Sequence, residues 1–334
     1  MLRVVLALLV GGADAPAAEF AGAAAARGAM ASLLKVPLAA PEVSVTVHEA
    51  MEQDGLITED VSWESLDHER VPAFVMRRAK APGRLPVVIC LHGSGGSREV
   101  MSTARFGYEE WTTAGRSESH TRLIGWAREL ARRGYLAIAM TQRGLDRRRP
   151  PINQQANVLL VQGRTAMGAV LHEIRQAVTY AARRPDADPA RIATAGLSFG
   201  GITAFYTWVL DDRVAAAAPI CGGVGSVDVF AKRGSIGYHG TYWWIPDMLA
   251  EGDQADFAAS MAPKPLMLWA PTEDIGMPKE AVDLFRRKVA QAYGRAGRPD
   301  TLVIHQPPGE HAFTIEAFEA MSRFFDTHLK RREP

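Results

Sequence analysis

Arg191-Ile192-Ala193-Thr194-Ala195-Gly196-Leu197-Ser198-Phe199-Gly200-Gly201-Ile202 is the stretch on which the fold turns. Its first half is an apolar run that reads as a strand, and its second half opens a helix through Ile202 and Trp208. Between them sits G-x-S-x-G. A serine on so sharp a strand-to-helix turn needs small neighbours on both sides, because the strained backbone packs closely and leaves Oγ exposed. The helix N-terminus beneath it supplies oriented N–H groups. The competing reading is an ordinary glycine-rich turn with a capping serine; the strand-turn-helix context favours the nucleophile.

Working outward, continuous apolar runs recur at residues 85–91, 135–140, 214–221, 265–269 and 301–304. Such runs suit strands buried on both faces of a mostly parallel sheet. Helical patterns lie between them: Met167, Val170, Leu171, Ile174 and Val178, then Ala281, Leu284, Phe285, Val289 and Ala292, and a final helix from Phe313 to Leu329. Strand and helix alternating in this way predict an α/β fold with helices on both faces of the sheet. Residues 43–47 and 73–76 have the alternating look of a leading antiparallel hairpin. One stretch, 223–262, breaks the rhythm: it holds no apolar strand but carries Tyr238, His239, Tyr242, Trp243 and Trp244. It reads as an insertion over the carboxyl edge of the sheet, where ligands of such folds bind.

A serine hydroxyl is a poor nucleophile at neutral pH, so it requires a base, and the base requires an orienting carboxylate. The expected chain order is Ser, acid, His. His311, in Pro308-Gly309-Glu310-His311-Ala312, follows the last strand and precedes the last helix. The acid belongs in the loop Pro271-Thr272-Glu273-Asp274-Ile275-Gly276-Met277-Pro278, where Glu273 and Asp274 are both candidates. The shorter Asp274, four residues ahead of the helix-opening Pro278, is favoured. Acyl transfer also needs oxyanion donors. One is expected from the N–H of Phe199 and the other from the loop His92-Gly93-Ser94-Gly95-Gly96-Ser97, through the N–H of Ser94. That loop lacks both the G-K-[ST] ending of a P-loop and the spacing of a dinucleotide fingerprint, so no nucleotide site is read there.

The chain has 334 residues, 47% of them hydrophobic, enough for one large domain with an insertion. Lys and Arg number 38 against 37 Asp and Glu, a net charge of +1, so no global field favours nucleic acid or anionic lipid. No segment is apolar for long enough to span a membrane. Residues 1–17 suit a short secretory leader, with one arginine before an apolar run and Ala15-Pro16-Ala17 at its end. Secretion or the periplasm is therefore expected; the alternative is a disordered, Ala-rich tail on a cytoplasmic protein, with residues 18–40 preceding a domain of 41–334. Cys90 and Cys221 lie in strand-like runs and read as buried free thiols. Arg143, Arg147, Arg148 and Arg149 form a basic loop at the same sheet edge. Arg143 could meet an acidic substrate group, although a solvated charge run is favoured. Tyr242, Trp243 and Trp244 are candidates for a substrate wall, with insertion core as the alternative. His92 and His239 stand alone, without the spacing of a zinc site.

Taken in order, Leu91-His92-Gly93-Ser94-Gly95-Gly96, Gln142-Arg143-Gly144, Gly196-Leu197-Ser198-Phe199-Gly200-Gly201 and Gly309-Glu310-His311 resemble the α/β-hydrolase superfamily over residues 70–330. Within it they look like the branch of dienelactone hydrolases, acetyl xylan esterases and prolyl oligopeptidases. The chain departs from that branch in carrying Ala270-Pro271 where His-Gly is common before the acid. The resemblance implies an eight-stranded, mostly parallel sheet, an insertion after the sixth strand, and the strands ending in Cys90 and Cys221 on either side of the nucleophile strand. With the triad Ser198–Asp274–His311 it implies cleavage of carboxylic esters with no cofactor, and the large aromatics of the insertion predict a small pocket that prefers acetyl-sized or similarly short esters. A serine peptidase is the runner-up, and a non-catalytic binding protein of the same fold is the alternative from another class.

Overall fold

The computed structural model describes residues 20–112 and 119–330. The leader expected over residues 1–17 lies outside them. Among the described residues the strands are, in chain order, β1 (Val45–Gln53), β2 (Leu56–Glu64), β3 (Arg70–Arg78), β4 (Leu85–Leu91), β5 (Gly107–Thr112), β6 (Ser119–Ile124), β7 (Leu136–Met140), β8 (Ala187–Leu197), β9 (Val214–Ile220), β10 (Leu266–Trp269) and β11 (Leu302–His305). Nine of them form one sheet in the order β1-β2-β3-β7-β4-β8-β9-β10-β11, and β5 with β6 makes a separate ribbon. From β7 to β11 every neighbour is parallel, whereas β1, β2 and β3 are antiparallel.

Period-two alternation explains the layers. On β4, Val87, Ile89 and Leu91 face a core shared with the helices Ala166–Arg183, Phe199–Leu210 and Lys279–Arg295. Val88 and Cys90 face the opposite core, shared with Trp126–Arg132 and Ile315–Leu329. Burial on both sides is why these strands read as unbroken apolar runs.

The sheet has nine strands rather than eight, and residues 43–47 and 73–76 do not pair. β2 lies between β1 and β3. Its apolar signal is thin because it sits near the sheet edge, and β1 beyond it is exposed along nearly its whole length, bearing His48, Glu49 and Glu52. Charges of this kind blunt an open edge. The insertion accordingly follows the seventh sheet strand in chain order, β9, rather than the sixth.

The alanines of residues 23–31 belong to a packed helix. Helix Ala23–Leu34 sinks Ala26, Met30, Ala31, Leu33 and Leu34 into the first core. Thr165 Oγ1 donates to Leu34 O at 2.8 Å, and Arg175 donates to the carbonyls of Pro37 and Leu38 at 2.7 and 2.6 Å. This segment is part of the same folded unit, which moves its start from residue 41 to before residue 23. Cys90 and Cys221 are free and buried, with β8 between their strands. No helix among the described residues is long and apolar enough to cross a membrane.

Candidate active site

β8 ends at Leu197, and Ser198 takes φ 55° and ψ −118° before the helix Phe199–Leu210 begins. A non-glycine residue in that region is strained, so the surroundings must hold it there. They do so from both sides. The Ser198 N–H donates to Ile220 O of β9 at 2.9 Å. A Cβ on Gly196 would stand 2.2 Å from Leu91 O, and one on Gly200 would stand 2.1 Å from the same oxygen. Only glycine lets the elbow seat this close to β4.

The loop after β4 comes equally near: a Cβ on Gly93 would lie 3.2 Å from Ser198 Cβ. Its shape is set by His92, whose Nδ1 donates to Gly93 O at 2.7 Å while Nε2 accepts from the Gln142 N–H at 3.0 Å. This pair of bonds fits the neutral ring protonated on Nδ1. Burial holds its pKa down at about 4. Gln142 also donates to His92 O at 2.6 Å and accepts from Thr203 Oγ1 at 2.9 Å, tying the loop to the helix behind Ser198. Both nitrogens of His92 are committed, so it has no lone pair for a metal.

On the far side of β9, Asp274 and His311 meet. His311 Nδ1 lies 2.8 Å from Asp274 Oδ2; the aspartate side chain is 0% exposed and the imidazole 26%. Asp274 Oδ1 accepts from the Gly276 N–H at 2.9 Å. Glu273 is exposed, with its backbone N–H on Gly309 O. Of the two acids in the loop, Asp274 is the one that reaches the imidazole.

Residues 223–262 fold into the helices Val227–Lys232, Met248–Glu251 and Gln254–Ser260 with 3₁₀ turns between them. The three insertion aromatics separate in role. Tyr242 shares a hydrogen bond with Ser94 Oγ at 3.1 Å and sets its ring edge-on to Phe199, 5.0 Å between centroids. Trp243, 1% exposed, stands behind, 5.6 Å from Phe199 and stacked at 3.8 Å on His239. Trp244 donates to Ile236 O within the insertion and packs on Phe230, so it belongs to the insertion's own core. Sequence reasoning passed over His239 except as an isolated metal ligand. Its Nε2 lies 3.2 Å from Gly276 O, which ties the insertion to the acid loop, and burial lowers its pKa to about 4. A contact between residues 37 positions apart leaves no mark in local spacing.

The basic loop corrects two expectations. Arg147 and Arg149 are exposed, but Arg143 and Arg148 are 3% and 8% exposed. Glu173, buried on helix Ala166–Arg183, accepts from Arg143 at 3.1 Å and from Arg148 at 2.6 and 2.9 Å. Arg143 is also bound to Gln155, Asp67 and Leu66 O. With its N–H groups so occupied, Arg143 is a strut rather than a reader of substrate charge.

A model of the dienelactone hydrolase family matches residues 71–320. The chain belongs to the dienelactone hydrolase family. YtaP of Bacillus subtilis (strain 168), described no further than as a hydrolase, is 26% identical over 294 residues, 86% of this chain and 93% of that protein. Among solved structures, a glucuronoyl esterase from Solibacter usitatus superposes with TM-score 0.67 at 15% identity, over 91% of this chain and 92% of that one. An acetyl xylan esterase from Paenibacillus sp. R4 gives 0.58 at 20% identity, over 91% and 93%. At such identities the likeness is one of fold, the α/β-hydrolase fold. Dienelactone hydrolase family membership makes this chain a hydrolase, and its structural neighbours are esterases of carbohydrates.

Proposed function

We propose that this hydrolase cleaves short-acyl carboxylic esters through an acyl-enzyme. Ser198 Oγ attacks the ester carbonyl and His311 takes its proton; Asp274 holds the imidazole with Nδ1 protonated, so that Nε2 is the base. The N–H groups of Phe199 and Ser94 hold the oxyanion. The alcohol leaves with the proton from His311, and water then attacks the acyl group by the same route. The observation that carries this reading is the 2.8 Å contact of His311 Nδ1 with a carboxylate that has no solvent exposure, one strand away from a serine held at φ 55°.

Packing around Phe199 supports a small acyl group, since Tyr242 and Trp243 close on that ring from the insertion side. Each methylene accepted or refused by an apolar wall is worth about 1 to 3 kcal/mol. The acetyl xylan esterase neighbour supports a sugar on the leaving side. Turnover of p-nitrophenyl acetate, butyrate and octanoate, set beside peptide p-nitroanilides, tests this. Acetate is expected to lead and the anilides to remain intact; octanoate in the lead would overturn the small acyl pocket, and anilide cleavage the ester assignment.

A further inference from the structure

Cys221 directly follows β9 at φ 47°, in the gap between the elbow and the acid loop. Its N–H donates to Trp269 O at 2.8 Å and its thiol approaches Ala312 O at 3.5 Å, so it is pinned between β10 and the His311 loop. Nothing in the hydrolytic steps uses it. Yet one donor atom each from Cys221, Asp274 and His311 lie within 4.8 Å of one another. Thiolate, carboxylate and imidazole form a donor set suited to zinc.

We propose that Cys221, Asp274 and His311 form an inhibitory site for Zn²⁺ and for the softer Cd²⁺. Tetrahedral zinc with bonds of about 2.0 to 2.3 Å places its ligands roughly 3.3 to 3.8 Å apart. The Asp274–His311 edge, 2.8 Å, opens by about 0.5 Å and the edges to Cys221, no longer than 4.8 Å, close by about 1 Å or less to reach that size. Charge also balances. Without metal, a second anion beside buried Asp274 is unfavourable, and burial with that carboxylate pushes the Cys221 thiol well up. A divalent cation removes the thiol proton to solvent, and the two anions neutralise it. The partly exposed His311 side gives the entry path. Metal on Nδ1 leaves the ring proton on Nε2, the nitrogen that must accept from Ser198. The predicted inhibition rests on the function proposed above; the binding does not.

Titration of the full chain with CdCl₂ in chelator-free buffer, read by the ultraviolet thiolate-to-cadmium band, together with competition of ZnCl₂ against a chromogenic chelator, tests the site. Wild type and Ser198→Ala are expected to bind one ion per chain with the thiolate band. Cys221→Ala is expected to lose the band and at least about 10-fold in affinity, since even outer-shell partners of a metal are worth about 10- to 100-fold. Its ester turnover is expected to stay near wild type and to escape Zn²⁺ inhibition. Cys221→Ser keeps the side-chain shape as a folding control and is expected to lose the band as well. Equal affinity in wild type and Cys221→Ala, or no thiolate band in wild type, would overturn the site. Cys221-dependent binding without inhibition would uphold the site and count instead against His311 as the base.

Discussion

Two carboxylates with no exposed side-chain surface lie near the same edge of the sheet, and their partners differ in kind. Glu173 is bracketed by the guanidinium groups of Arg143 and Arg148, donors without an acceptor atom. Asp274 is paired with a single imidazole, a side chain that can accept a proton on one nitrogen while donating from the other. Burial of charge does not distinguish a strut from a catalytic group. What distinguishes them is whether the partner can gain and lose a proton. Removing one member of a buried ion cluster leaves an uncompensated charge and costs about 3 to 5 kcal/mol, so substitution of Glu173 is expected to cost stability. Asp274 is the place where turnover is expected to be concentrated.

The sharpest attempt to break this contrast is Asp274→Asn, which keeps the shape but turns the histidine to the wrong tautomer. It is expected to lower kcat by about 10⁴, as in the protease triad, while Glu273→Gln changes little; equal losses from both would dissolve the distinction. Glu173→Ala is expected to do the reverse. Its urea unfolding should show a loss of about 3 to 5 kcal/mol, with kcat per folded molecule near wild type, and a large loss of kcat would make Arg143 more than a strut.

A smaller effect comes from His92, neutral when folded and free to protonate when unfolded. Because its folded pKa of about 4 lies below the ordinary 6.5, the unfolded chain binds the extra proton first. This stabilisation is complete above pH 6.5 and is lost as pH falls towards 4, at about 1.4 kcal/mol per pH unit. His92→Asn is expected to have a shallower stability slope between pH 6.5 and 4, measured by urea unfolding; an unchanged slope would place the proton uptake elsewhere. The smallest effect is expected from Tyr242→Phe, which removes the hydroxyl on Ser94. At about 0.5 to 1.5 kcal/mol for one hydrogen bond, kcat/KM for p-nitrophenyl acetate should fall only several-fold, and a loss as large as that of Asp274→Asn would make the phenol a direct participant.

What was legible in the chain follows from burial and from locality. The loops carrying Ser94, Ser198 and Asp274 each follow a strand buried on both faces, so an unbroken apolar run announces them, whereas His311 follows β11, a half-buried edge strand announced only by the short run Leu302-Val303-Ile304. β2 gave no such announcement, because an antiparallel strand near the edge mixes Val61 and Trp63 with Glu59 and Asp60. The fate of Arg143 and Arg148 depended on Glu173, 30 and 25 residues away on a helix whose apolar face hides one acid. Helix Ala23–Leu34 lies in the Ala-rich stretch read as preceding the domain, since alanine carries little hydrophobic signal even when it packs tightly. The approach of Cys221 to Asp274 and His311 joins three loops, and no spacing within any one of them encodes it.

The central claim is that Ser198 is the nucleophile served by the Asp274–His311 pair. Treatment with a fluorophosphonate, followed by intact mass and peptide mapping, tests it most directly. A single adduct on Ser198, absent from Ser198→Ala and formed far more slowly in Asp274→Asn, is the expected result; an adduct that persists in Ser198→Ala, or that maps to another residue, would contradict the account.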